Sequence, residues 1–107
     1  MPDQIIKSLF IVVLSATLFS GTASAADQQE LYIKSVAATC ANCHGTNGKS
    51  IKDAALPALA GMQSAAIIEQ MQAFKSGSRS ATIMHQIAKG YTDDQIKLLA
   101  NYFAAQN

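Results

Sequence analysis

The chain places two cysteines and a histidine within five residues, in the run Cys40-Ala41-Asn42-Cys43-His44. Two thiols three positions apart lie on one helical turn, so each can add to one of the two vinyl groups on a haem edge. The histidine that follows directly can then bind the iron through an imidazole nitrogen. The spacing therefore predicts one covalently attached haem c, held by Cys40 and Cys43, with His44 as an axial ligand of the iron.

Three other uses of a C-x-x-C pair compete with this interpretation: a thioredoxin-like dithiol, half of a zinc site, and a disulfide. A thioredoxin-like dithiol belongs in a βαβ pattern, which the sequence lacks. Zinc would need two further ligands, and the other nitrogen or sulfur candidates are His85 and the methionines. A disulfide across three positions closes a very small loop and constrains little of the unfolded chain. Haem attachment is favoured over all three.

The sixth ligand of the iron decides what the haem can do. A methionine thioether stabilises ferrous iron, raises the reduction potential and blocks oxygen chemistry by filling the site. Met71 falls on the apolar face of a predicted helix, where core packing is the expected role, whereas Met62 stands near the start of that helix and could line the pocket. Met84 lies 40 positions after His44 in a predicted loop. His85 would lower the potential, but neighbours on a backbone point in different directions. Met84 is the favoured ligand.

The first element that positions the motif is predicted to be a helix. An acidic variant of the capping box, Asp27-Gln28-Gln29-Glu30, predicts its start. One face then carries apolar residues at helical spacing and delivers the first cysteine to the core; these are Ile33, Val36, Ala37 and Cys40. From Gly45 to Gly61 the composition is rich in Gly, Ser, Lys and Asp, which predicts mostly loop with one short helical turn.

The rest of the chain is also predicted to be helical. Ser64 is expected to cap a second helix that ends at Gly77, and a short helix from Met84 to Lys89 is expected to stop at Gly90. A capping box, Thr92-Asp93-Asp94-Gln95, predicts the start of the last helix. Its apolar stripe consists of Ile96, Leu99, Ala100 and Phe103. No β-hairpin signal occurs, so the predicted fold class is all-α with short helices and long loops.

The first 25 residues have the pattern of a secretory signal peptide. Lys7 precedes an apolar run from Leu9 to Phe19, and Ala23-Ser24-Ala25 is an A-x-A cleavage signal. The competing interpretation is an uncleaved anchor, but the apolar run has 11 residues, whereas a spanning helix needs about 20. We therefore expect residues 1–25 to be a cleaved signal peptide and residues 26–107 to form one exported domain with no membrane span.

The size of the predicted domain favours a cofactor in its core, and its charge argues against some classes of partner. Cleavage would leave 82 residues, near the size at which a protein-only core is marginal, so a central haem would supply much of the core. This part of the chain has seven basic and six acidic residues and no basic stripe, which argues against a nucleic-acid partner. No arrangement of nucleophile, base and orienting group suggests bond-making chemistry by this chain alone.

Four segments in this order resemble the bacterial class I c-type cytochromes. Among these, the chain is similar to the small monohaem proteins of the kind found as the cytochrome subunit of flavocytochrome c sulfide dehydrogenase. The segments are ATCANCHGTNG at 38–48, LPALAG at 56–61, AFKSGSR at 73–79 and TIMHQIAKGY at 82–91. The resemblance implies the class I cytochrome c fold, in which short helices and long loops wrap around one haem.

The resemblance also implies roles for individual residues. His44 and Met84 would be the axial ligands, the Pro57 carbonyl would accept a hydrogen bond from the other ring nitrogen of His44, and Arg79 would lie near the haem propionates. One departure concerns the crossing of the first and last helices, where class I cytochromes commonly place a glycine against an aromatic residue. The first helix here has no glycine. Its facing residues are expected to be Leu31, Tyr32 and Val36, opposite Phe103 and Tyr102.

The function that the sequence indicates is single-electron transfer in the periplasm, without an enzymatic reaction of its own. One hypothesis makes this chain the haem subunit of a sulfide-oxidising complex, with a flavoprotein sulfide dehydrogenase subunit as the redox partner. The alternative is a free electron carrier for a respiratory chain. A third hypothesis, a haem enzyme or gas sensor with an open sixth position, would require that Met84 does not bind the iron.

Overall fold

The computed structural model describes residue 21 and residues 23–107, and within these residues it contains α-helices, one 3-10 turn and no strand. The predicted signal peptide lies outside the described residues, except for residues 21 and 23–25. The all-α fold class is confirmed. The helices are α1 (Ala25–Ala38), α2 (Ala41–His44), α3 (Ser64–Ser76), α4 (Met84–Lys89) and α5 (Asp93–Ala104), and the 3-10 turn is Thr46–Gly48.

Helix α1 begins three residues earlier than the sequence pattern predicts. Its N-cap is Ser24, whose hydroxyl accepts a hydrogen bond from the Ala26 N–H at 3.3 Å. Asp27 completes a capping box by accepting from the Ser24 N–H at 3.3 Å. In the uncleaved chain the predicted cap at Asp27 is therefore wrong: this carboxylate is the third residue of the helix, because a serine hydroxyl three positions earlier satisfies the first backbone donors.

Helix α5 follows the sequence prediction closely. The Thr92 hydroxyl accepts from the Gln95 N–H at 3.2 Å, and the Gln95 side-chain oxygen accepts from the Thr92 N–H at 3.0 Å. All members of the predicted stripe are buried, namely Ile96, Leu99, Ala100 and Phe103. Leu99, Ala100 and Phe103 cluster with Ala37 from α1 and Ile67 from α3, so the core lies where α1, α3 and α5 come together.

Most residues expected at the crossing of α1 and α5 take part in it: Val36 and Tyr102 pack against the core that contains Phe103, and the Tyr32 hydroxyl accepts a hydrogen bond from Gln95 of α5. Leu31 is 70% exposed and does not pack against α5, whereas Ala37 is buried in the core and Val36 packs against it. A glycine still approaches the aromatic ring, but it comes from the 3-10 turn. A Cβ atom on Gly48 would lie 2.8 Å from Cδ1 of Phe103, and Gly48 has a φ of +75°. A small residue on α1 and a glycine from a loop replace the expected pair.

Helix α3 ends as predicted but starts differently. Gly77 terminates it in the left-handed conformation, with a φ of +80°. Its N-cap is Gln63, and the predicted cap residue Ser64 is already helical. The Ser64 hydroxyl instead donates to Oδ1 of Asn101 on α5, at 2.7 Å. This hydrogen bond ties the start of α3 to α5.

Helix α4 has the predicted bounds and carries a fully buried alanine, Ala88, in contact with α3. It stops at Gly90, whose N–H donates to the Ile87 carbonyl at 3.0 Å. The chain then turns directly into α5.

Among the described residues, no helix has the length and apolarity needed to cross a membrane.

Candidate haem site

The cysteine motif occupies a single helical turn at the end of α1. Cys40 is the N-cap of α2, and its carbonyl accepts hydrogen bonds from the N–H groups of Cys43 at 3.3 Å and His44 at 3.0 Å. Cys40 is half-buried and Cys43 is exposed, and the two sulfurs are not joined to each other. The turn therefore presents both thiols for attachment to one ligand edge, with the imidazole directly after them.

The electrostatic environment of Cys40 argues against a redox dithiol. Burial raises the pKa of the Cys40 thiol above its ordinary value. Reactive dithiols of the thioredoxin kind depend on a lowered thiol pKa. The described residues also contain no cluster of three or more His, Cys, Asp or Glu side chains that could bind zinc. The motif is therefore suited to attachment of a prosthetic group.

A glycine immediately after the motif allows the chain to reverse. Gly45 has a φ of +83°, and a Cβ atom there would lie 2.3 Å from the carbonyl oxygen of Lys49. No side chain fits this turn, so glycine is required. The loop that follows folds back along the motif, and the N–H groups of Leu59 and Ala60 donate to the Gly48 carbonyl at 2.8 and 3.1 Å. These bonds fix the segment that contains Pro57.

The ring of His44 is fixed by that segment. His44 is buried, and its Nδ1 lies 2.8 Å from the carbonyl oxygen of Pro57. Because a carbonyl only accepts hydrogen bonds, Nδ1 must carry the proton, and Nε2 is left with a free lone pair. The hydrogen bond that the resemblance implied is present. It orients the imidazole in the way that a metal-binding histidine requires.

The three methionines of the described domain have different environments. Met62 and Met71 both pack against the core cluster, and the sulfur of Met62 also lies 3.9 Å from Nε2 of Gln70. Met84 is half-buried as the first residue of α4 and does not belong to this packing. The structure thus gives Met62 and Met71 roles in the core and leaves Met84 as the thioether at the start of a helix preceded by an exposed loop.

Arg79 and His85 lie together, away from the core. The guanidinium of Arg79 stacks over the ring of Phe74, with Cζ 4.7 Å from the ring centroid. A cavity of about 300 Å³ is lined by Arg79, His85 and Lys89 together with Phe74. Nδ1 of His85 is buried and has no hydrogen-bond partner among the described residues. Three basic side chains around one concave surface suit a carboxylate such as a haem propionate.

Large apolar side chains lie uncovered in the chain segments that precede Pro57 and Met84. Ile51 is 81% exposed and Leu56 is 44% exposed, in the loop that leads to Pro57. Ile83 is 57% exposed and directly precedes Met84. An apolar macrocycle would remove this surface from water, and burial of apolar area is favourable by about 25 cal/mol per Å². The thiols, the oriented imidazole, the thioether and these apolar residues together fit a haem.

One feature of the site could not be found by reading the sequence. The hydroxyl of Tyr91, just after α4, lies 2.7 Å from Oγ1 of Thr39, just before Cys40. The two residues are 52 positions apart and belong to no common motif. This hydrogen bond joins the attachment segment to the segment that carries Met84.

Comparison with known proteins places the chain among haem proteins. A family model described as "Cytochrome c" matches residues 26–106. The cytochrome subunit of sulfide dehydrogenase from Chlorobaculum tepidum is 43% identical over 61% of this chain and 57% of that protein. A thiosulfate dehydrogenase electron acceptor from Stutzerimonas stutzeri is 35% identical over 81% of this chain and 42% of the relative.

Two further matches differ in the length that they share. Cytochrome c-553 from Helicobacter pylori is 34% identical over 86% of this chain and 91% of that protein. The solved structure of cytochrome c4 from Acidithiobacillus ferrooxidans superposes with a TM-score of 0.61 at 33% identity, over 80% of this chain and 52% of that one. This chain therefore spans about half the length of the relatives from Chlorobaculum and Stutzerimonas and of the cytochrome c4 chain, and nearly all of cytochrome c-553.

Proposed function

Because this chain belongs to the cytochrome c family, its cofactor is one covalently attached haem c, and we propose that it transfers single electrons through iron held between His44 and Met84. The haem, when bound, supplies an iron that changes between the ferric and ferrous states. The protein's own residues attach it, orient it and control what reaches the metal. The chain is an electron-transfer protein and not an enzyme in its own right.

The hydrogen bond between His44 and Pro57 is the single observation that carries this proposal. It holds the proton at Nδ1 and leaves Nε2 available, so the imidazole can act as a ligand without first losing a proton. The Pro57 carbonyl also restricts rotation of the ring, because the loop around it is held by backbone hydrogen bonds to Gly48. Cys40 and Cys43 provide the attachment points on the turn directly before this ring.

Met84 supports the electron-transfer role from the opposite side. A thioether in the sixth position favours ferrous iron and excludes oxygen and other small ligands. Met62 and Met71 are engaged in core packing, and His85 faces the cavity that Arg79 lines, which supports Met84 over these rivals. In the same proposal, Arg79 pairs with a haem propionate, aided by its stacking on Phe74, which limits the motion of the guanidinium.

We propose that residues 1–25 direct export and are removed, so that the domain functions in the periplasm. Bacterial c-type cytochromes are generally periplasmic, and the family match begins at residue 26, where the predicted cleavage would leave the new N-terminus. Mass spectrometry of protein isolated from a periplasmic fraction would test this, and an N-terminus at residue 26 is the expected result.

The proposed partner is a flavin-containing sulfide dehydrogenase subunit. The support is the 43% identity to a protein named as a cytochrome subunit of sulfide dehydrogenase. The exposed surface next to the motif is also small and uncharged, at Ala38 and Asn42, which suits close apolar docking. With almost no net charge, the docking should depend only weakly on salt.

A second candidate is a diffusing electron carrier. It is favoured by the match to cytochrome c-553 of Helicobacter pylori, since that match covers 91% of the relative and leaves little of it outside this domain. Co-expression with a flavoprotein sulfide dehydrogenase subunit, followed by gel filtration at low and high salt, separates the two candidates. Joint elution at both salt concentrations supports a subunit, and separate elution supports a carrier.

The electron-transfer proposal itself is tested by spectroscopy on purified holoprotein. The ferric protein should show the weak near-infrared band of a sulfur-iron bond, and Met84→Ala should abolish it while Met62→Ala and Met71→Ala retain it. Persistence of the band in Met84→Ala would contradict the ligand assignment. A change caused by His85→Ala alone would assign the ligand to His85.

A further inference from the structure

The hydrogen bond between Tyr91 and Thr39 connects the two segments that would hold the haem from opposite sides. We infer that Tyr91 is a positioning residue: by tying the end of α4 to the attachment segment, it keeps Met84 at the sixth position and excludes competing ligands. The inference rests on the proposed ligation by His44 and Met84.

The direction of the hydrogen bond follows from the other bond of Thr39. Its hydroxyl donates to the Val36 carbonyl at 2.8 Å, so its single proton is already used. The Tyr91 hydroxyl, 2.7 Å away, must therefore donate to Thr39. Thr39 Oγ1 also lies 3.9 Å from Sγ of Cys40, so the bond ends next to an attachment thiol. A covalently attached haem would make this end of the bond immobile.

The other end of the bond is coupled to α4. The Tyr91 N–H donates to the Ala88 carbonyl at 3.3 Å, and Ala88 is fully buried. The Tyr91 carbonyl accepts a hydrogen bond from Nζ of Lys75 on α3, at 2.8 Å. Tyr91 is thus held through its phenol by the end of α1 and through its backbone by α3 and α4. A displacement of α4 would strain or break one of these bonds.

The chain before Met84 offers much less constraint. Ile83 is the N-cap residue of α4, makes no side-chain capping bond and is 57% exposed. Residues 76–80 and 82–83 are also exposed. Besides the packing of α4 on α3, the restraint on Met84 that passes along the chain therefore comes mainly from the C-terminal side of α4, where Tyr91 lies. This asymmetry is what gives one tyrosine hydroxyl an effect on a ligand seven positions away.

An external ligand can reach the iron only when Met84 leaves, so its apparent affinity includes the free energy of that local opening. If opening breaks the Tyr91 hydrogen bond, removing the hydroxyl makes opening easier. The net contribution of one neutral hydrogen bond corresponds to about a twofold to tenfold change in an equilibrium constant. Tyr91→Phe should therefore bind external ligands about twofold to tenfold more tightly.

Two measurements on ferric holoprotein test the inference. The first is a titration with imidazole, and the second follows the near-infrared band as the temperature rises. Tyr91→Phe should bind imidazole more tightly than the wild type and lose the band at a lower temperature. Tyr102→Phe is the matched control, because its hydroxyl also makes one long-range hydrogen bond, to Oδ1 of Asn47 at 2.9 Å, and its side chain is also half-buried. That bond ties α5 to the 3-10 turn and is expected to leave imidazole affinity unchanged.

The partner residue provides a second test. Thr39→Val should raise the affinity for imidazole as Tyr91→Phe does, whereas Thr39→Ser keeps the hydroxyl and should have wild-type affinity. The double variant Thr39→Val/Tyr91→Phe should bind imidazole no more tightly than either single variant, because both changes remove the same hydrogen bond. Equal imidazole affinity in Tyr91→Phe and Tyr102→Phe, or additive effects in the double variant, would overturn the inference. Failure of the ligation proposal looks different: the wild-type protein itself would lack the band.

Discussion

The helical half of this molecule and its loop half bury their apolar residues in different ways. In the helical half, α1, α3 and α5 pack against each other, and Ile67, Leu99 and Phe103 are almost fully covered by protein. In the loop half, residues 45–61 and 78–83, apolar side chains such as Ile51 and Ile83 remain largely exposed. The helical half is therefore packed by protein alone, whereas the exposed apolar side chains of the loop half suit contact with an apolar group such as a haem.

Removing the haem should produce the largest difference between the halves. In a Cys40→Ser/Cys43→Ser variant without attached haem, we expect most tertiary order to be lost. The small protein core then has to offset the conformational entropy of the whole chain without the apolar contacts of the haem. Remaining amide protection should be confined to α1, α3 and α5. Hydrogen exchange measures this, and Cys40→Ser alone is the control that can keep one thioether. Protection of residues 45–61 in the haem-free protein would contradict the comparison.

The sequence predicted the helical half well because its signals are local. The capping box and stripe of α5 lie within 12 consecutive positions, so periodicity was enough to find them. The starts of α1 and α3 were misplaced because two serines were interpreted without their partners. Ser24 turned out to cap α1, and Ser64 to bond Asn101 on another helix. The Ser24 cap is local and was overlooked because this residue belongs to the predicted cleavage signal, whereas a partner 37 positions away, such as Asn101 for Ser64, is not visible in a short window.

In the candidate site, too, local sequence signals could be interpreted and contacts between distant positions could not. The attachment motif is contiguous, so Cys40, Cys43 and His44 could be identified from spacing alone. The contact of His44 with Pro57 and the bond between Thr39 and Tyr91 join residues 13 and 52 positions apart. The first was reached only through a resemblance, and the second not at all, because neither is encoded by periodicity or composition.

Within the helical half, Phe103→Ala should have the largest effect of a single substitution. Phe103 is 2% exposed at the meeting point of α1, α3 and α5, and truncation of such a ring costs about 3–5 kcal/mol. Chemical denaturation of the holoprotein measures the change. Leu31→Ala is the control, since Leu31 is 70% exposed on α1 and should change stability by less than about 0.5 kcal/mol. Equal losses of stability in Phe103→Ala and Leu31→Ala would contradict the placement of Phe103 in the core.

Gly48 lies where the two halves meet, and Gly48→Ala should be the next most damaging change. The new Cβ would lie 2.8 Å from Phe103 and 2.9 Å from the Ala60 nitrogen, and the φ of +75° adds strain, so we expect a loss of about 2–4 kcal/mol. Gly77→Ala has a similar φ of +80° but nothing within 4 Å, and should cost about 1–2 kcal/mol. The difference between the two losses of unfolding free energy, measured by denaturation, gives the cost of the close contact of Gly48 with Phe103 and Ala60. Equal losses in the two variants would contradict this contribution.

The smallest expected effect concerns a charged contact at the edge of the helical half. Asp93 accepts hydrogen bonds from Lys75 Nζ at 2.8 Å and Gln72 Nε2 at 3.0 Å, which join α3 to the start of α5. The hydrogen bond from Lys75 is the main cause that lowers the pKa of Asp93 below its ordinary value of 3.8. A carboxylate with a lowered pKa in the folded state stabilises the protein at pH values above the ordinary pKa.

That contribution should be lost as pH falls below about 3.8 and through the lower pKa of the folded state. Asp93→Asn should therefore destabilise the holoprotein slightly at pH 7 and flatten the stability curve between about pH 4 and 2. Asp94→Asn is a close control, because Asp94 shares the first turn of α5 but its side chain is 91% exposed and, among the described residues, pairs with Lys97 alone, at 3.4 Å. Denaturant midpoints measured across this pH range should separate the two variants. Identical curves would mean that the first turn of α5, and not the tie to α3, carries the effect.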